Sequence, residues 1–383
     1  MATAPDPLLV RWGVRYFREL SKKLGPVDAG DGVHFLNPDE RAALRRIERG
    51  AILRAAIAGA ISTIVSAVTE VLAHPLLGPD DRHATFEQQV RFWSIVGGAT
   101  ILASIIEILY LYWDGLRAVH ALSVAAGLDL FPNEEDDAAL AGAMARAALE
   151  LPNPTGRSLG VDPWREASRF RLVFASIVYK LKISVTNFAV KALVRRMLGR
   201  AFVKAWLPFV AVPITAGWNA FICWLIMREA RIRAMGPSAA FEMIGIAYGS
   251  VPEEILDEAT RRAAVRAVAS SIVRTEDMHP NLAAVLREVM ARVKNMEADG
   301  DDLDVPRTFL DRLEKLGATQ QRFVLRVLAI ASVIDGRLTS KEKGLLVDAH
   351  RVSGVPSDLH AVNRLRVAFL RGDPIDRRSI ETL

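Results

Sequence analysis

From Ala205 to Met227 the chain runs 23 residues without a charged side chain, between Lys204 on one side and Arg228, Arg231 and Arg233 on the other. A helix rises about 1.5 Å per residue, so about 20 apolar residues cover the hydrocarbon thickness of a bilayer. This run is long enough. Trp206 and Trp224 stand about 27 Å apart along such a helix, near its ends, where amphipathic rings reach the headgroup layer. Pro208, Pro213 and Asn219 interrupt the run. Proline lacks a backbone donor and bends a helix, and such defects survive in lipid only beside protein or water. The expectation is either a kinked span or an apolar hairpin bent at Pro208 or Pro213 that dips into a membrane. Both flanks are basic, so charge asymmetry assigns neither side, which favours the hairpin.

Two further runs carry the same signature. Ala51 to Ala73 follows Arg41, Arg45, Arg46 and Arg49, with Arg54 and Glu70 near its ends. Within it Ala55, Gly59, Thr63 and Ala67 recur every fourth residue, a spacing that lets a second helix approach closely in lipid. Phe92 to Trp113 carries one charge, Glu107. Trp93 at one end and Tyr110, Tyr112 and Trp113 at the other form an interfacial belt. Glu107 lies about a turn from that belt. There it should cost less than the ~2.5–3.5 kcal/mol of a mid-bilayer charge, and it reads as a tolerated near-interface carboxyl. Together the two runs predict a transmembrane helical hairpin over 51–125. Five arginines, Arg41, Arg45, Arg46, Arg49 and Arg54, precede the charge-free run from Ala55 to Thr69, and two, Arg82 and Arg91, lie in the connecting loop, so both outer ends are expected to be cytoplasmic.

Around these runs the pattern is helical. Residues 8–24 read as a basic amphipathic helix, lying on the protein's own core or on a lipid surface. Asn37-Pro38-Asp39-Glu40 reads as a helix start, with Asn37 as N-cap. Residues 126–163 form an acidic segment and linker, with Glu134 to Asp137 opening a helix and three prolines after Leu151. Lys191, Arg195, Arg196, Arg200 and Lys204 share one face of a helix whose other face is apolar, as suits an anionic headgroup layer. Polar or aromatic base readers are missing among these cations, so nucleic acid is not an expected partner. With 51% hydrophobic residues and a formal charge of +5, the composition fits a protein held against anionic lipid. The single Cys223 rules out a disulfide within one chain. Neither a secretory signal nor a lipidation motif is expected from the ends of the sequence.

Past Gly236-Pro237 the chain turns soluble in character. Val251-Pro252-Glu253-Glu254 is expected to open one amphipathic helix, and residues 281–297 to form another. Thr339-x-x-Glu342 is a capping box, and Gly354 ends the helix it starts. There is no phosphate-binding Gly-rich loop followed by Lys-Ser or Lys-Thr, no HExxH and no Gly-x-Ser-x-Gly. The histidines show no ligand spacing. The expectation is a non-enzymatic protein.

The stretch around Pro208-Phe209-Val210-Ala211-Val212-Pro213, Asn219, Arg228, Ala230 and Arg231 resembles the C-terminal half of EcsC-family proteins, over roughly 165–245. That family is membrane-associated, so the resemblance implies location and not a reaction. Ala331 to Glu342, with Ile334-Asp335-Gly336, resembles the signature of TerB-like domains. These are small helical bundles found beside membranes in stress and defence systems. The resemblance implies Asp335 and Glu342 as acidic residues for a divalent metal. Two carboxylates fall short of the six or more oxygens that a hard cation takes, and each has a local task, Asp335 at a turn and Glu342 in the cap.

The expectation is thus an all-α, membrane-associated chain. Its segments are amphipathic helices over 1–50, the hairpin over 51–125, the linker to 163, an EcsC-like segment over 164–245, a soluble helical region over 246–318 and a TerB-like bundle over 319–383. Anionic lipid and a protein partner of the C-terminal module are the expected ligands. The location expected is the bacterial inner membrane, with the C-terminal module cytoplasmic. A transport accessory or pore-forming subunit is the alternative.

Overall fold

The computed structural model describes residues 7–24, 33–78, 84–131, 138–154, 156–166, 207–293 and 303–383. Among them there are helices and no strands. The basic positions Lys191, Arg195, Arg196, Arg200 and Lys204, and the acidic run Glu134 to Asp137, lie outside the described residues. The helices are α1 (Leu8–Leu24), α2 (Pro38–Ala73), α3 (Phe86–Ala125), α4 (Ala138–Ala148), α5 (Leu207–Gly249), α6 (Glu258–Thr275), α7 (Pro280–Met290), α8 (Pro306–Glu314), α9 (Ala318–Ala331), α10 (Ser340–Val352), α11 (Leu359–Arg371) and α12 (Arg377–Glu381). Three stretches, Pro38–Leu77, Phe86–Ala125 and Phe209–Gly249, are long and apolar enough to cross a membrane. The chain divides into two compact units.

One unit holds described residues 45–78, 84–119 and 207–228. Helix α2, whose first residues up to Leu44 belong to the other unit, starts where the sequence says. Asn37 Oδ1 accepts from Glu40 N at 2.9 Å and Glu40 Oε2 accepts from Asn37 N at 2.8 Å, satisfying two first-turn donors reciprocally. The Arg54 guanidinium meets the buried Asp114 carboxylate at 2.8 Å, and Ala73 packs with Phe92 and Val96. These contacts tie the early part of α2 to the late part of α3 and the reverse, so the two run antiparallel. In α5 the chain does not reverse at Pro213, one of the two bends expected for the hairpin; what precedes Leu207 lies outside the described residues. Pro208 stands in the first turn, where its missing N–H would have no intrahelical partner anyway. The helix passes through Pro213. Next to it the Thr215 hydroxyl lies 3.1 Å from the carbonyls of both Ala211 and Val212, a side-chain bond that helps a helix tolerate a proline defect where water is scarce.

The other unit holds residues 7–24, 33–44, 120–131, 138–154, 156–166, 229–293 and 303–383. Its central element is α6, buried without a break from Ala263 to Val273. A helix buried on all sides needs neighbours on all sides, and α7, α8, α9 and α10 supply them. The start of α6 differs from expectation. Glu253 to Ile255 form only a 3-10 turn, and Asp257 caps the helix by accepting from Thr260 N at 2.8 Å. The Thr339–Glu342 capping box opens α10, with Glu342 Oε2 accepting from Thr339 N at 2.9 Å. At the far end α11 stops at Gly372, whose φ of +67° is a left-handed cap. A side chain there would also meet Leu36, with Cγ 2.7 Å from the added carbon. Gly372→Ala is therefore expected to cost about 2 kcal/mol, from left-handed strain and displacement of Leu36, read as a lower unfolding midpoint of the detergent-solubilised protein.

Candidate functional site

In the unit containing α2, α3 and the first half of α5, polarity is inverted relative to a water-soluble bundle. Leu53, Ile57 and Ile61 on α2, Ile101, Leu102, Ile105 and Leu109 on α3, and Val210, Ile214 and Phe221 on α5 are exposed. Leu109 is 63% exposed, while Glu107, two residues earlier, is 4% exposed. Buried with Glu107 are Ser62, Thr63, Ser66, Thr215 and Asn219.

The buried groups are joined. Asn219 Nδ2 donates to Glu107 Oε1 at 2.7 Å. The Thr63 and Thr215 hydroxyls stand 2.6 Å apart, and Thr63 Oγ1 donates to the Gly59 carbonyl at 2.8 Å. The four-residue stripe read from the sequence supplies the room. Ala55, Gly59, Thr63 and Ala67 are all buried. A Cβ on Gly59 would stand 2.6 Å from Asn219 Nδ2 and 3.0 Å from the Thr215 carbonyl oxygen, so α5 crosses α2 at this glycine. Interhelical bonds of this kind contribute about 0.6 kcal/mol each in lipid, and close packing contributes the rest. Gly59→Leu is expected to push the helices apart and lower stability by about 2–3 kcal/mol. The check is loss of the folded fraction in a detergent-titration unfolding curve.

Glu107 is held between helices and bonded to Asn219, a partner that the sequence reading did not name. Of the apolar-segment residues, the structure joins Asn219 to this polar seam. Pro208 and Pro213 lie in the same helix and serve its path.

The second polar cluster lies in the α6-centred unit. Asp335 and Glu342 are both buried, and the Asp335 charge opposes ionisation of Glu342. Asp335 Oδ1 accepts from Arg337 N at 2.8 Å. Glu342 Oε2 also accepts from the Thr339 hydroxyl at 2.9 Å, and Oε1 accepts from Ser271 Oγ at 3.3 Å. Burial pushes Asp335 above the ordinary aspartate range, and burial with the Asp335 charge pushes Glu342 up to about 8. A metal centre needs ionised oxygens, and more of them. Among the described residues no group of three or more His, Cys, Asp or Glu is arranged to hold a metal ion. The pair does not fit the divalent metal that the resemblance implies.

Nearby, the sequence reading missed a constellation. Glu229 Oε1 accepts from Arg233 Nε at 2.9 Å and lies 3.0 Å from His279 Nε2. His279 Nδ1 accepts from Asn281 N at 3.2 Å, which leaves Nε2 as the donor to Glu229. Asn281 Nδ2 donates to both the Ile232 and Ile334 carbonyls, at 2.9 and 2.8 Å. The only sequence signal was His279-Pro280-Asn281 at a helix start. Glu229, Arg233, His279 and the Asn281 amide nitrogen are each bound to a structural partner, and these residues pair no nucleophile with a base.

No protein-family profile, curated protein or solved structure matches this chain.

Proposed function

We propose that this chain is a membrane-embedded structural or interaction protein and not an enzyme. In this reading α2 and α3 are a transmembrane hairpin and α5 is a third, EcsC-like membrane helix. The α6-centred unit, with its TerB-like segment, works at the cytoplasmic face of an anionic bacterial inner membrane and recruits a protein partner in envelope stress or defence. The observation that carries the reading is the exposed apolar surface of α2, α3 and α5 around a buried polar seam. Soluble monomers rarely expose apolar patches beyond a few hundred Å². The Asp335-Gly336 turn and the Glu342 cap support the TerB-like assignment. Gly336 has a φ of +74°, and any side chain there would meet Ile232 and Leu370. The test is carbonate extraction of membranes with protease protection of each terminus. Retention in the pellet and a C-terminus digested only from the cytoplasmic side are expected; release into the supernatant overturns the reading.

A second reading, a transport accessory or pore-forming subunit, draws on the buried Glu107–Asn219 and Thr63–Thr215 bonds between three apolar helices. It requires conductance in reconstituted vesicles that is lost in Glu107→Ala.

A further inference from the structure

The helix α1 has two faces, and only one is used by the fold. Val10, Gly13 and Phe17 are fully covered; Phe17 lies 5.8 Å from the His120 ring and Ser21 Oγ 2.9 Å from His120 Nε2, while α4 packs alongside. On the opposite face Leu8 is 75% exposed and Trp12 is 47% exposed. Trp12 stacks on Tyr16 with centroids 6.1 Å apart and planes 14° apart, which holds both rings along the helix surface. Leu8, Trp12 and Tyr16 stand four residues apart and make one stripe. Arg11, Arg15 and Lys22 make the stripe beside it, all exposed. The helix carries five cations, Arg11, Arg15, Arg18, Lys22 and Lys23, against one anion, Glu19.

We propose that this outer face of α1 docks on the headgroup layer of an anionic bilayer. The inference rests on the membrane-embedded reading above. An apolar stripe tipped by leucine and an indole, edged by arginines, matches a layer that is negative at its surface and apolar just beneath. A soluble acidic partner would satisfy the cations but leave Leu8 and the Trp12 ring without an apolar layer to enter. Lipid satisfies both.

The test uses the full chain in lipid nanodiscs, with Cys223→Ser and a nitroxide placed at Leu8→Cys. Collisional relaxation by oxygen, which concentrates in lipid, is compared with relaxation by a water-soluble nickel chelate. In phosphatidylcholine–phosphatidylglycerol discs, oxygen access is expected to exceed chelate access several-fold. The difference should shrink in phosphatidylcholine alone, at high salt, and in Arg11→Glu/Arg15→Glu. A label at Ile105→Cys is the control. Should Leu8 remain open to the chelate in anionic discs while Ile105 reads as lipid, the docking proposal is overturned and the membrane reading stands. Shielding of Leu8 from both reagents means a protein covers the face, which also overturns it. If Ile105 itself is open to the chelate, the membrane-embedded reading has failed, and the proposal with it.

Discussion

Gly236→Val is expected to destabilise the α6-centred unit by about 3–5 kcal/mol, enough to leave much of the protein unfolded at physiological temperature. A Cβ at Gly236 would stand 2.0 Å from Asn281 Cγ and Oδ1. Asn281 has nowhere to go, because it is completely buried. If its side chain rotates away, the Ile232 and Ile334 carbonyls lose the donor that ties α5 to the turn before α10. A buried carbonyl stripped of its partner costs about 1–3 kcal/mol, and overpacking costs a similar amount. The diagnostic result is a sign change between backgrounds. Gly236→Ala should be strongly destabilising in the parent. In Asn281→Ala it should be neutral or favourable, because alanine is better than glycine in a helix by about 1 kcal/mol once the clash is gone. Equal costs in both backgrounds would mean that Asn281 does not occupy the space beside Gly236.

The second large effect concerns pH. Glu342 is pushed up to about 8, first by burial and then by Asp335, and the hydrogen bonds from Thr339 and Ser271 only partly offset this. In the unfolded chain a glutamate titrates near 4.3. Between those values the folded state keeps a proton that the unfolded state has released. Stability from this group is therefore fully present below about pH 4.3 and is lost as pH rises towards 8, at up to about 1.4 kcal/mol per unit. Asp335 is pushed in the same direction by its burial. Glu342→Gln keeps an acceptor for the Thr339 cap and carries no charge. Thermal unfolding between pH 5 and 9 should show a parent midpoint that falls through the window. The variant should be flatter and, at pH 9, more stable than the parent by about 2–4 kcal/mol. A variant less stable than the parent at pH 9 would contradict the burial argument.

The features that the sequence displayed plainly are those whose cause is local. Asn37 caps α2 and Thr339 pairs with Glu342 because partners three residues apart meet in the first turn of any helix. The Ala55–Gly59–Thr63–Ala67 stripe was legible because a period of four marks one helix face. What crosses that face was not legible. Asn219 and Thr215 reach Gly59 from about 160 positions away in the sequence, by a packing choice that leaves no mark at either end. The same limit hid Glu107's partner, and the Glu229–His279 pair, 50 positions apart. Pro213 misled for another reason. Proline removes one donor from the ladder, yet the helix runs on through it, with the Thr215 hydroxyl beside it bonded to the Ala211 and Val212 carbonyls. At Asp335 and Glu342 the TerB-like resemblance implied a metal, but burial drives those groups towards the neutral form.

The central claim is that the outward apolar side chains of α2, α3 and α5 face lipid. Single cysteines at Ile57, Leu102, Ile105 and Phe221, in a Cys223→Ser background, test it through their reaction with a charged, membrane-impermeant maleimide in sealed vesicles and again after detergent denaturation. The account predicts negligible labelling at all four positions before denaturation and full labelling after it. Rapid labelling of these positions in intact vesicles, at the rate of an ordinary surface cysteine, would contradict it.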